Sequence, residues 1–164
     1  MSHSVTITRT TTTTGNTSYI VINTGYLKTG PGLLKFLQLV LGIVVVGIIA
    51  NYFLSPTYLS RNTEASILLL ATAFMIGTFL LLLSCIISLS TGSILSKTIY
   101  EVVYHVFGGL ALLAVGIAGI VELSDKNSSA EHYKAQMAAS VICAVNGILY
   151  FISTYFANKS YRGM

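Results

Sequence analysis

Four apolar stretches, each long enough to cross a lipid bilayer, dominate this chain of 164 residues. They lie at Gly32–Leu54, Ile67–Leu89, Val102–Val121 and Ala135–Phe156. A membrane-spanning helix needs about 20 mostly apolar residues to cross roughly 30 Å of hydrocarbon. Each stretch has that length, and none carries a Lys or Arg deep inside it. The pattern predicts an all-α fold, a transmembrane up-down four-helix bundle with short loops.

The composition leaves room for one membrane domain. Charged residues make up 9% of the chain, against about a quarter in a soluble domain. We expect residues 1–31 to form a Thr-rich flexible cytosolic tail and lead-in, residues 32–156 the four-span domain, and residues 157–164 a short basic cytosolic tail. The first 31 residues lack the basic and apolar regions of a cleavable signal peptide, so we expect the first span to serve as the insertion signal.

The distribution of charge predicts which way the bundle crosses the membrane. With four spans, both tails share a compartment with the middle loop. That set holds six cations and one acid, Glu101; the cations are Arg9, Lys28, Lys35, Lys97, Lys159 and Arg162. The other two loops hold three cations and four acids: Arg61, Lys126 and Lys134 with Glu64, Glu122, Asp125 and Glu131. Cytosolic loops carry the excess of Lys and Arg, so both termini are predicted to be cytosolic. Lys28 and Lys35 are expected to reach the lipid headgroups.

Small residues recur along one face of the last two spans. In the fourth span they are Ala135, Ala139, Cys143 and Gly147, and in the third span Gly109, Gly116 and Gly119. Such stripes let two helices approach closely in a membrane. They could hold one bundle together or join two bundles, and packing within one bundle is the plainer interpretation. We also expect the stripes to be the most exposed surfaces for association with other membrane proteins.

Polar residues inside the spans predict a second internal contact. Gln38, His105, Asn146 and Tyr150 are expected to form an intramembrane polar layer, because unpaired amides are costly in hydrocarbon. An alternative makes Glu101 and His105, four positions apart on one helix face, a proton or ion site. Glu101 is expected to lie at the membrane interface, where its charge can reach the headgroups, and this argues against that alternative.

Other chemistry has little support in the sequence. No paired intramembrane aspartates and no His-Glu-x-x-His or Gly-x-Ser-x-Gly motif are present, so we predict no catalytic residues, no metal site and no cofactor. Cys85 and Cys143 lie inside spans and are interpreted as packing residues, with palmitoylation and pairing as alternatives. Asn127-Ser128-Ser129 is a glycosylation acceptor motif on the predicted outer side.

Several segments together resemble the MARVEL domain of four-span membrane proteins. They are Gly25–Lys35 running into Gln38–Gly42, the start of the third span at Tyr100–His105, and Asn146–Tyr150 in the fourth span. The resemblance covers residues 25–157 and is nearest to the chemokine-like-factor MARVEL transmembrane group or a singles-bar-like group. It implies a non-enzymatic protein of vesicle trafficking, cholesterol-rich membrane domains or membrane apposition.

We therefore expect lateral organisation or sorting of membrane and protein cargo. The alternative is a component of cell–cell contact or cell fusion acting through the outer loops, and a third is a small oligomeric channel. The expected partners are the bilayer, either cholesterol-rich membrane or an anionic inner leaflet, and other membrane proteins or further copies of the chain. No nucleic-acid partner is expected. The expected location is the plasma membrane, trafficking vesicles or both.

Overall fold

The computed structural model describes residues 23–53, 62–124 and 131–163. Within these ranges the chain forms four long α-helices, one seven-residue α-helix and a short 3₁₀ helix. The α-helices are α1 (Gly30–Phe53), α2 (Asn62–Ile87), α3 (Leu89–Leu95), α4 (Ile99–Ser124) and α5 (Glu131–Tyr161), and the 3₁₀ helix is Thr24–Lys28. The long helices α1, α2, α4 and α5 are apolar enough to cross a membrane. The predicted four-helix bundle of a multi-pass membrane protein is therefore confirmed.

The start of α1 is fixed by the segment that precedes it. The helix begins at Gly30, as the Gly-Pro-Gly run predicts. The 3₁₀ helix folds back so that the backbone carbonyl of Tyr26 lies against Gly32, where any side chain would overlap it. One turn earlier, the backbone N–H of Asn23 donates to the carbonyl of Ile86 at 2.7 Å. The lead-in is thus bound to the ends of both α1 and α2.

The long helices surround one core in the order α1, α2, α4, α5. The contact between α4 and α5 is the most extensive, α1 packs on α2 and α5, and α2 packs on α4. This order places α1 diagonally opposite α4. The central cluster of buried apolar side chains consists of Val45, Ile49, Ile67, Ala71, Leu112, Ala139, Cys143 and Tyr150.

Several helices extend beyond the apolar stretches that predicted them. α2 begins at Asn62 rather than Ile67, and α5 continues to Tyr161 rather than Phe156. Hydropathy marks only the part of a helix that suits hydrocarbon, whereas backbone hydrogen bonding continues into the polar residues beyond it. The short helix α3 begins at Leu89, the last residue of the second predicted stretch, and continues into the middle loop. It follows Ser88, whose hydroxyl accepts a hydrogen bond from the backbone N–H of Thr91 at 3.3 Å. The domain boundaries at residues 31 and 156 stay a prediction.

Candidate functional site

A buried ion pair joins α1 to α4. Lys35 and Glu101 form an ion pair, and they are only 1% and 4% exposed. Lys35 Nζ also donates to the Tyr26 hydroxyl at 3.1 Å. Burial raises the pKa of Tyr26, with a smaller contribution from Cys85 and Glu101, so its hydroxyl keeps its proton. The expectation that Lys35 and Glu101 reach the headgroups separately is wrong, because each is neutralised by the other inside the bundle.

His105 lies one turn further into the bundle than Glu101, on the same face of α4. Its Nδ1 lies 2.7 Å from the carbonyl oxygen of Glu101. A carbonyl only accepts hydrogen bonds, so in the neutral ring Nδ1 carries the proton and Nε2 is an acceptor. Nε2 is buried and has no partner among the described residues. The ring packs against those of Tyr104 and Tyr150, with centroids 5.2 and 5.6 Å away.

Gln38 and Asn146 link α1 to α5. Gln38 Nε2 donates to the carbonyl of Leu149 at 3.0 Å and to Ser153 Oγ at 2.7 Å. Asn146 Nδ2 donates in turn to the backbone carbonyl of Gln38 at 3.2 Å. Two amide side chains thus hold the same pair of helices together, as polar groups do within membranes.

A hydroxyl cluster connects α2 with the same site. Thr78 Oγ1 lies 2.9 Å from the Tyr104 hydroxyl and within hydrogen-bond distance of the Tyr150 hydroxyl. Both tyrosines also donate to the carbonyl of Phe74, at 2.9 Å for Tyr104 and 3.2 Å for Tyr150. The carbonyl is a shared acceptor, so the three hydroxyls form one network.

We call the residues of these contacts together the polar column. It consists of Lys35, Gln38, Thr78, Glu101, Tyr104, His105, Asn146, Tyr150 and Ser153. The four residues of the predicted polar layer lie in two separate contacts: Asn146 donates to the backbone of Gln38, and the ring of His105 packs on that of Tyr150. The predicted layer did not include Lys35, Thr78, Glu101, Tyr104 and Ser153, although Glu101 was considered with His105 as an ion site. A usable signal was the presence of one cation near the start of α1 and one acid in the first turn of α4, at the same end of the bundle.

The small-residue stripes face each other within the bundle. A Cβ atom on Gly116 would lie 2.6 Å from the backbone nitrogen of Ala144, and one on Gly147 would lie 2.7 Å from that of Leu113. Gly109 packs on the ring of Phe151, and Gly119 on Ser140. Ala139 and Cys143 are also buried, while Ala135 is half-buried. The expectation that the stripes are exposed to other proteins is therefore wrong, because α4 and α5 cover each other there.

A cavity of about 260 Å³ opens above the ion pair. Its residues come from the lead-in, α1, α3, α4 and α5: Asn23, Tyr26, Thr29, Pro31, Lys35, Gly92, Ser96, Glu101, Ser153, Phe156, Ala157 and Ser160. We call this end of the molecule the basic end, because the exposed side chains of Lys28, Lys97, Lys159 and Arg162 lie in the same segments. The arrangement offers both signs of charge at the floor of the cavity, with hydroxyl groups around it.

Comparison with known proteins identifies the family. Residues 26–156 match MARVEL, a family described as a membrane-associating domain. The chain belongs to the MARVEL family. No curated protein sequence and no solved structure matches it. The match to MARVEL begins at Tyr26, the residue that binds Lys35, and ends inside α5, so it includes the whole polar column. The narrower assignment to a chemokine-like-factor or singles-bar-like group stays a prediction.

The remaining candidate groups of this MARVEL protein are placed as follows. Cys85 and Cys143 are free thiols and both are buried; Cys143 Sγ lies 3.5 Å from the carbonyl oxygen of Leu112. Among the described residues, no cluster of three or more His, Cys, Asp or Glu side chains could hold a metal ion. Asn127, the predicted glycosylation acceptor, lies outside the described residues.

Proposed function

We propose that this MARVEL protein organises or sorts membrane and protein cargo laterally, in vesicle trafficking or at sites of membrane apposition, and that it catalyses no reaction. The observation that carries the proposal is the division between interior and exterior. The polar column is turned inward and bonded across the helices, while large apolar side chains cover the outside of the bundle. Examples on the four long helices are Leu33, Ile43, Leu69, Leu80, Phe107, Leu110, Ile148 and Ile152. Such a protein meets its surroundings through the lipid-facing surface.

Among the described residues, an apolar groove lies between α1 and α2 on that surface. Leu39, Ile43, Met75, Ile76 and Phe79 line a groove of about 260 Å³ whose exposed surface is entirely apolar. The groove lies on two membrane-spanning helices, so we propose that hydrocarbon of the surrounding lipid fills it. Preferential filling by one kind of lipid would give the protein a lateral preference among membrane regions. Cholesterol-rich membrane is the candidate region that the family resemblance suggests.

The groove can be tested with matched substitutions on two lipid-facing sites. We expect Ile43→Trp, which fills the groove, to change how a tagged copy distributes between ordered and disordered regions of isolated plasma-membrane vesicles. Ile148→Trp is the control, because Ile148 is exposed to a similar degree on α5 away from the groove (50% against 54%). Equal distributions of wild type and both variants would contradict the role of the groove.

The site of action can be tested by imaging. A C-terminally tagged copy at native expression should lie on vesicles and plasma membrane, and an antibody should reach the tag only after permeabilisation.

Replacing residues 125–130 with a Gly/Ser segment leaves α4 and α5 intact and removes only the connection between them. Lateral sorting should survive this replacement. Concentration at cell–cell contacts that is lost on the replacement would favour the contact or fusion alternative. Currents from purified protein in bilayers that change with Glu101→Gln would favour a channel.

A further inference from the structure

We infer that the cavity at the basic end binds the headgroup of an anionic amino-phospholipid, of the phosphatidylserine class. The inference rests on the proposed function, lateral organisation of the membrane, and on the expectation from the sequence that an anionic leaflet is one of the partners. It adds a defined site and a chemical preference to what would otherwise be a general attraction between a basic surface and acidic lipid. Three features of the cavity carry it: the charges at its floor, the charges around its mouth, and its mixed walls.

The floor of the cavity carries both signs of charge. Lys35 and Glu101 line it and neutralise each other. A ligand with a negative charge alone would be attracted by the lysine and repelled by the carboxylate. A headgroup that has an ammonium and anionic oxygens can bind both Lys35 and Glu101. Its ammonium would donate to Glu101, and its oxygens would accept from Lys35 and from the surrounding hydroxyls.

Four exposed cations are close in the chain to residues that line the cavity, each one or two positions from such a residue. We expect them to make the mouth of the cavity positively charged. Lys28 precedes Thr29, Lys97 follows Ser96, and Lys159 and Arg162 flank Ser160. Clustered cations near a membrane surface attract anionic lipid. The mouth therefore favours a ligand with net negative charge, although the floor requires that the ligand also carries an ammonium.

The walls and the size of the cavity suit a headgroup at the edge of the membrane. Hydroxyl groups of Thr29, Ser153 and Ser160 stand beside the apolar surfaces of Phe156 and Ala157. The volume of about 260 Å³ equals the liquid share of roughly nine water molecules. This is enough for a small polar headgroup but not for the acyl chains, which would remain in the surrounding bilayer.

Binding can be measured on the purified full chain with lipids that differ in one property each. Nanodiscs of phosphatidylcholine would contain a small fraction of phosphatidylserine, phosphatidylglycerol or phosphatidylethanolamine, and lipid retained by the protein would be quantified by native mass spectrometry. Phosphatidylglycerol has the negative charge without the ammonium, and phosphatidylethanolamine has the ammonium without net charge. We expect phosphatidylserine to be retained about tenfold over either, as one charge-assisted hydrogen bond allows.

Two substitutions locate the site without altering the ion pair. Ala157→Leu puts a larger side chain into the cavity and should abolish the preference for phosphatidylserine. Ala138→Leu, at an exposed position on the same helix, should leave it unchanged. Both variants must give the wild-type size-exclusion profile. If Ala157→Leu does not, Ser160→Leu replaces it, because Ser160 is half-buried at the wall of the same cavity.

The outcomes separate this inference from the proposed function. Equal retention of phosphatidylserine and phosphatidylglycerol, unaffected by Ala157→Leu, would overturn the headgroup site and leave a general attraction to anionic lipid. No preference for any anionic lipid would overturn the headgroup site and the expected anionic partner, whereas lateral sorting is overturned only by its own distribution and imaging experiments. Free O-phosphoserine that displaces the lipid at equal concentration would overturn the assignment to a membrane lipid and indicate a phosphorylated soluble partner.

Discussion

Lys35 on α1 and Glu101 on α4 form a buried ion pair across the diagonal of the bundle, between two helices that otherwise have little contact. They are 66 positions apart in the chain. The pair connects the two halves of the bundle, α1 with α2 and α4 with α5, at the basic end. It also supports the lead-in, since Lys35 holds the Tyr26 hydroxyl.

Loss of one partner of this pair should destabilise the protein strongly. Lys35→Met or Glu101→Gln leaves the other charge buried without its partner, a change that costs about 3–5 kcal/mol. The double variant should recover most of the loss, because it buries no unpaired charge. The measurement is the temperature at which the size-exclusion peak in detergent falls by half. Lys28→Met, at an exposed position, is the control. A double variant no more stable than the single ones would contradict the pairing.

The close approach of α4 and α5 should make Gly116 intolerant of even a methyl group. Gly116→Ala should cost about 1–3 kcal/mol, the usual penalty of overpacking, because its Cβ would meet the backbone of Ala144. Gly47→Ala is the matched control on α1, where a Cβ would meet nothing within 4 Å. That change should be neutral or slightly stabilising, because alanine favours helix. The stability of both variants can be measured by unfolding in SDS. Equal effects of the two substitutions would contradict the close contact between Gly116 and Ala144.

The hydroxyl cluster should contribute a modest amount to stability. Thr78→Val and Tyr150→Phe should each cost about 0.6 kcal/mol, and at most about 1.7 kcal/mol, as measured for hydrogen bonds within membranes. The two losses should add only in part. Both remove the same Thr78–Tyr150 contact, while each also removes one contact of its own, with Tyr104 or with the Phe74 carbonyl. Tyr155→Phe, at a position 65% exposed, serves as the control in the same unfolding assay. Strictly additive losses would show that the two hydroxyls act separately.

The two cysteines should be protected from alkylation in the folded protein. Cys85 and Cys143 are the two cysteines of the chain, and both are free and buried. Treatment with N-ethylmaleimide should leave the intact mass unchanged until SDS is added, when two adducts should appear. An Ala138→Cys variant, exposed on α5, should gain one adduct at once. Rapid alkylation of the wild type, or a mass that shows a disulfide, would contradict the packing role.

The grouping of Gln38, Asn146 and Tyr150 could be expected from the sequence, because hydrocarbon penalises any amide or hydroxyl that finds no partner. Their actual bonds could not. Asn146 donates to the backbone of Gln38 rather than to its side chain, and Tyr150 bonds to Thr78 and to the carbonyl of Phe74. Thr78 carried no signal of its own, since a threonine in a helix commonly bonds within its own turn.

The lysine near the start of α1 shows why local reasoning can misplace a charge. At the sequence level, Lys35 sits where a long side chain can reach the headgroups. Whether it does so depends on which way that face of α1 points. The rotation of α1 turns Lys35 toward the core, where Glu101 neutralises it, and the lead-in covers it through Tyr26.

The number, order and approximate limits of the spans followed from the sequence by itself. A segment in hydrocarbon must satisfy its backbone hydrogen bonds internally, so about 20 apolar residues in a row specify a helix regardless of its neighbours. The tertiary structure alone decided which faces of those helices meet. As a result, the small-residue stripes of α4 and α5 pack against each other, Lys35 pairs with Glu101, and a cavity lies beside this ion pair. Each of these contacts depends on the rotation of a helix about its own axis, and that rotation is set by packing against the other helices.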